Sequence, residues 1–126
     1  MKFRFWKTPN VGQEATAGRT PFRENAPGDF YVEDGCCTSC DVPRTVAPRL
    51  FSYASDGHCY VSKQPQNAVE TRQMLEACEV QEMGCIRYKG NNRVIKIKLI
   101  AMGEGDQCDY LDQDLRQLNE EVNADR

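Results

Sequence analysis

The chain has 126 residues, a formal net charge of −3, seven cysteines and a single histidine. That length fits one domain of ordinary size with at most an appendage, and the acidic balance argues against a dedicated nucleic-acid binder. No stretch approaches about 18 apolar residues, so no transmembrane helix is expected. The basic and aromatic N-terminus MKFRFWKTPN lacks the apolar run of a signal peptide, which makes a cytoplasmic location the expectation. In that compartment clustered cysteines are more often metal ligands or redox groups than structural disulfides, and an odd cysteine count forbids full internal pairing.

Residues 1–28 read as an extended N-terminal arm punctuated by Pro9, Gly12, Gly18, Pro21, Pro27 and Gly28. Phe3, Phe5 and Trp6 are its apolar exception. They either dock on the domain surface or, with Lys2, Arg4 and Lys7 between them, anchor a partner or a membrane surface. Phe30–Val32 is the first expected strand. Gly35 then relaxes the backbone ahead of Cys36, Cys37 and Cys40. The spacing Cys37-x-x-Cys40 lets two thiolates from one loop reach one metal centre. Pro43 suits the first turn of a short helix over 43–46, which Pro48 ends.

Leu50–Tyr53 and Cys59–Lys63 form a hairpin about the turn residues Ala54-Ser-Asp-Gly57. Asn67 caps the main helix with Glu70 as its capping-box partner. Ala68, Thr71, Leu75 and Cys78 fall on one face of that helix, so Cys78 points inward. Cys85–Tyr88 is the last strand of a β-α-β-β-α-β order. Beyond it, Val94–Met102 is a strand by alternation or a helix by composition. Leu111, Leu115, Leu118 and Val122 make the acidic tail an amphipathic helix. Five basic residues and no acids lie between Cys85 and Gly103, whereas eight acids and two arginines follow from Glu104 onward. The expected outcome is that the tail packs across the basic segment.

The stretch YVEDGCCTSCDVPRTVAPRLF resembles the cluster loop of bacterial-type single-cluster ferredoxins, whose pattern is C-x2-C-x2-C-x3-C-P. Cys37 and Cys40 fall on the first two positions, Pro43 stands in place of the third cysteine, and Ala47-Pro48 takes the last. Cys78-Glu79-Val80 to Gly84-Cys85-Ile86-Arg87 is similar to the family's closing C-P-x-x-A-I. The resemblance covers roughly residues 29–88. It implies an α+β fold with a ferredoxin-like β-α-β-β-α-β domain over 29–88, the arm over 1–28, and a C-terminal helical extension over 89–126.

The resemblance further implies one iron–sulfur cluster, [4Fe-4S] or [3Fe-4S], serving electron transfer. The chain would be a monomeric carrier rather than an enzyme, with a redox protein or reductase as partner. Cys37 and Cys40 would be ligands, and the helix end would add Cys85 or Cys78. Cys85 is preferred, because Gly84 permits close approach and Cys78 is explained as a core thiol. Cys36, Cys59 and Cys78 are candidates for the remaining ligand.

Three rival readings stand beside this one. Zinc takes four cysteines or three with a histidine, which brings in His58 beside Cys59. Cys37-x-x-Cys40 at a helix start is also the spacing of a thiol–disulfide exchange pair. A cluster-free module of the same fold would bind a protein partner. Cys108 receives no role. A single histidine and the absence of any nucleophile–base motif leave no case for hydrolytic catalysis.

Overall fold

The computed structural model describes residues 19–36, 41–81 and 84–125. The N-terminal aromatics Phe3, Phe5 and Trp6, and the pair Cys37 and Cys40, lie outside these residues. In chain order the elements are β1 (Phe30–Val32), α1 (Val42–Val46), β2 (Phe51–Tyr53), β3 (Cys59–Val61), α2 (Ala68–Val80), β4 (Ile86–Tyr88), α3 (Arg93–Ala101) and α4 (Gln113–Ala124). A single 3-10 turn, Gly105–Gln107, separates the last two helices. The fold is mixed, with helices packed against two small sheets, and is compatible with the α+β class. No helix among the described residues is long and apolar enough to cross a membrane.

Each sheet has two antiparallel strands. β1 pairs with β4, with Phe30 opposite Tyr88 and Val32 opposite Ile86. β2 pairs with β3, with Phe51 opposite Val61 and Tyr53 opposite Cys59. Side-chain amides join the two pairs. Asn25 accepts from the N–H groups of Val32 (3.1 Å) and Val61 (2.9 Å) and donates to the carbonyls of Phe22 (2.7 Å) and Val32 (3.0 Å). Gln64 accepts from the Phe30 N–H at 3.1 Å and donates to its carbonyl at 2.8 Å. Backbone groups that a wider sheet would pair are therefore paired by amides, which meets the requirement that buried main-chain groups find partners.

In α2, Asn67 Oδ1 accepts from the Glu70 N–H at 2.9 Å. The return bond of the capping box shifts by one residue: the Glu70 carboxylate accepts from the Gln66 N–H at 2.8 Å and pairs with Lys63 at 2.8 Å. Lys63 first, then this backbone donor, hold the Glu70 carboxyl below the usual range. The buried face is Met74, Leu75, Ala77 and Cys78, while Ala68 is exposed and Thr71 half-buried. The expected stripe is thus displaced at its start, because Ala68 and Thr71 line an open groove of about 1070 Å³ between α2 and α3.

The ambiguous segment after β4 is a helix. Asn92 Oδ1 accepts from the N–H groups of Val94 (2.9 Å) and Ile95 (3.2 Å), the cap that decides the matter. Helical geometry turns Lys96 inward to 1 % exposure, with Nζ 5.1 Å from the centre of the Tyr110 ring, and leaves Lys98 outside. In α4 the inward residues are Leu115 and Asn119, while Leu118 faces solvent. The expected leucine stripe is rotated because Gly105 offers no side chain and Asn119 fits against it, donating to Asp106 Oδ1 at 2.9 Å. Arg93 pairs with Asp112 (3.2 Å) and Asp114 (2.8 Å), so the tail and the basic segment do meet.

One apolar cluster contains Phe30, Val32, Leu50, Phe51 and Met74 together with Leu99, Ile100, Leu111 and Leu115. The segment after residue 88 therefore shares the core of the segment before it. A buried polar network crosses the same boundary. Arg87 Nε donates to Asp109 Oδ1 at 2.6 Å, Arg87 Nη2 donates to the Asp106 carbonyl at 3.1 Å, and the Tyr31 hydroxyl donates to Asp109 Oδ2. Tyr31, Arg87 and Asp109 are all at most 4 % exposed. Burial and the Asp109 carboxylate raise the Tyr31 phenol well above its ordinary range, so it stays a donor.

Removing one partner of a buried pair strands the other charge, which costs about 3–5 kcal/mol. Asp109→Ala is expected to lose that much stability in urea unfolding, and Tyr31→Phe only about 1 kcal/mol. A parental midpoint for Asp109→Ala would contradict the pairing. Deleting residues 109–126 removes Asp109, Leu111 and Leu115 together. The shortened chain is expected to melt lower and to aggregate on size-exclusion chromatography.

Candidate metal centre

The cysteine loop leaves β1 through Glu33, Asp34 and Gly35. Gly35 has φ 76°, a conformation that favours glycine, as its position before the cysteines suggests. The loop re-enters described structure at Asp41, also left-handed at φ 66°, which caps α1. Aspartate tolerates this region better than most residues.

Both ends of the loop are tied to the β2–β3 hairpin. The Gly35 N–H donates to His58 Nε2 at 3.0 Å, and the Tyr53 hydroxyl donates to Asp41 Oδ1 at 2.9 Å. Tyr53 and Cys59 are directly opposed in the hairpin register, and opposed residues project from the same face of a strand pair. Cys59 shares that face with Phe51 and Val61 and packs against the core cluster.

His58 is committed to holding this frame. With Nε2 accepting from Gly35, the proton sits on Nδ1, which donates to the Cys59 carbonyl at 2.8 Å. The ring also stacks on Phe22, with centroids 3.9 Å apart and planes 6° from parallel. Both ring nitrogens and one face are occupied by structural contacts.

Cys85 does not stand alone at the end of α2. It is joined by a disulfide to Cys36, 49 residues earlier, with Cα atoms 5.5 Å apart. The backbone brings the two together. The Glu33 N–H donates to the Cys85 carbonyl at 2.9 Å, and the Glu33 carbonyl accepts from the Cys36 N–H at 3.3 Å. Gln81 Oε1 accepts from the N–H groups of Cys85 (2.9 Å) and Ile86 (2.8 Å), which fixes the entry to β4. The close approach at Gly84 is to a protein side chain, since a Cβ there would meet Gln107 at 2.7 Å.

Cys78 is 1 % exposed in the core, as its helical position suggests, and burial pushes its thiol far up. Cys108 is also buried, and its thiol is pushed up to about 11, chiefly by desolvation.

The structure thus brings Cys36 and Cys85 together and sets Cys59 on the flanking hairpin, but holds Cys78 apart in the core. Among the described residues, no group of three or more His, Cys, Asp or Glu side chains converges to hold a metal ion. Cys37 and Cys40 lie in the loop framed by Gly35 and Asp41. Cysteine sulfur, once reduced, is the donor type that iron–sulfur chemistry takes, so the residue types here fit such a group in kind. Sequence reasoning missed the Cys36–Cys85 bond, the His58 clamp and the buried network through Asp109. Only the nearness of His58 to Cys59 hinted at any of them.

Residues 32–87 match the family described as the 4Fe-4S single cluster domain of Ferredoxin I. Through this segment, from the end of β1 into β4, the chain is similar to single-cluster ferredoxin domains. No curated protein and no solved structure matches the chain.

Thiolate is the reactive form of cysteine, and burial suppresses it. Iodoacetamide is expected to leave Cys78 and Cys108 unmodified in the folded protein and to label both in denaturant. Mass spectrometry of the labelled peptides checks this. Rapid native labelling of Cys78 would contradict its burial.

Proposed function

We propose that the chain is an electron carrier of ferredoxin type that holds one iron–sulfur cluster in the loop between Gly35 and Asp41. The observation that carries this reading is the family match over residues 32–87, which begins and ends on the two strands that anchor the loop. The order β1-α1-β2-β3-α2-β4, carried on two separate two-stranded sheets, is compatible with this reading, and the hairpin clamp supports a preorganised loop.

In this reading Cys37 and Cys40 are two of the ligands and Cys85 the third. The remaining position falls to Cys36 or Cys59 in a [4Fe-4S] centre, or stays empty of thiolate in a [3Fe-4S] centre. Cys78 is the weaker candidate because it lies in the core. When bound, the cluster supplies a one-electron couple. The protein's part is to fix the loop through His58 and Tyr53, to exclude water, and to present backbone N–H groups to sulfur. A redox protein or reductase would be the partner, and the chain would act as a carrier without a substrate of its own.

Pro43 in place of the third cysteine and the Cys36–Cys85 bond favour a second reading, a zinc-stabilised or cluster-free module that binds a protein. Purification without oxygen, followed by iron and acid-labile sulfide analysis, separates the two. The carrier reading expects a brown protein whose broad visible absorbance bleaches on reduction. Cys37→Ser and Cys40→Ser are each expected to lose most of the iron and to melt lower, since metal-binding energy is folding energy in so small a domain. A colourless protein with stoichiometric zinc would overturn the carrier reading.

A further inference from the structure

We infer that Cys36 and Cys85 form a dithiol–disulfide switch that withdraws Cys85 from the metal centre when oxidised and releases it when reduced. The inference rests on the reading above in one respect only, that Cys85 is a ligand. The rest stands on the pair itself.

A sulfur in a disulfide has no thiolate to offer a metal, so the bond seen here and ligation by Cys85 exclude one another. The pairing does not depend on the bond for its geometry. Glu33 donates to the Cys85 carbonyl and accepts from the Cys36 N–H, and Gln81 holds the Cys85 and Ile86 N–H groups. These contacts join β1, α2 and β4, and none of them involves either sulfur atom. The two thiols then stay side by side at high effective concentration, which is what a reversible couple requires.

Accessibility sets the direction of opening. Cys36 is half-buried, whereas Cys85 is only 7 % exposed. A small dithiol reductant therefore attacks Cys36 Sγ, and Cys85 Sγ departs as thiolate, the form a metal takes. The reductant's second thiolate then displaces the mixed disulfide at Cys36. One S–S bond breaks in the protein and one forms in the reductant, so two electrons pass to the protein. The two sulfurs take up two protons, or Cys85 binds metal in place of its proton. Oxidation by a disulfide such as oxidised glutathione runs the same steps backwards.

The test uses the full chain in two forms, treated with oxidised glutathione and treated with dithiothreitol. Peptide mapping of the first, without reduction, is expected to find Cys36 linked to Cys85. Each form, freed of reagent, is then offered ferrous iron and sulfide without oxygen, and bound iron and visible absorbance are read. The oxidised protein is expected to lose most of the iron uptake of the reduced one, because Cys85 then has no thiolate to give. Absence of the Cys36–Cys85 linkage overturns the switch. Equal loading of the oxidised and reduced forms also overturns it while leaving the carrier reading in place. Failure of the reduced form to load at all overturns the carrier reading, and with it the role of Cys85 that the switch controls.

Discussion

The contact between Arg87 and Asp109 is the constraint on which the rest of the structure depends. Two charges taken out of water are tolerated only if each finds the other in good geometry and the remaining lone pairs are filled. Here Tyr31 fills the second carboxylate oxygen, and the Asp106 carbonyl takes another guanidinium donor. These four residues come from β1, β4 and the segment after α3. Strand pairing and docking of the C-terminal third are therefore one event, since any arrangement that separated them would leave an ionised group dry and alone. Backbone pairing reinforces the same junction, for the Asp109 N–H donates to the Tyr88 carbonyl at 2.8 Å.

That coupling bears on the cysteine loop. β1 delivers the chain to Gly35, and β4 takes it up after Cys85, so the register of β1 on β4 decides whether Cys36 and Cys85 meet at all. The opposite side is fixed independently by the hairpin, through His58 at one end of the loop and Tyr53 at the other. The described ends of the loop, Gly35 and Asp41, are thus gripped from two sides.

The parts legible in the sequence were those governed by local rules. The β1 strand, the hairpin and the Asn67 cap follow from turn residues, capping and apolar spacing. The inward position of Cys78 followed from helical spacing alone. What could not be read depended on distant partners. Lys96 breaks the alternation over 94–102 only because a helix turns it toward Tyr110. Leu118 yields its inward place to Asn119 because Gly105, fourteen residues away, leaves room. His58 looks like a ligand or a surface residue until Gly35 and Phe22 are seen to occupy it. Asp109 gave no sign, since an aspartate in an acidic tail is ordinarily solvated. The Cys36–Cys85 bond likewise has no local signature, because it joins the two ends of a pairing that exists only once β1 meets β4.

The amides of Asn25 and Gln64 have a consequence for how the molecule behaves in a crowd. Among the described residues every strand is three residues long and sits in a two-stranded sheet, so each is also an edge. Exposed edges invite pairing with another chain. On β1 the outward main-chain groups of Phe30 and Val32 are already taken: Gln64 holds both polar groups of Phe30, while Asn25 and the Phe22 N–H hold those of Val32. Two side chains thus imitate the strand that is not there. A third strand from a neighbouring molecule would have to displace five good hydrogen bonds before making its own, so this edge is closed to the templated stacking that makes short strands hazardous.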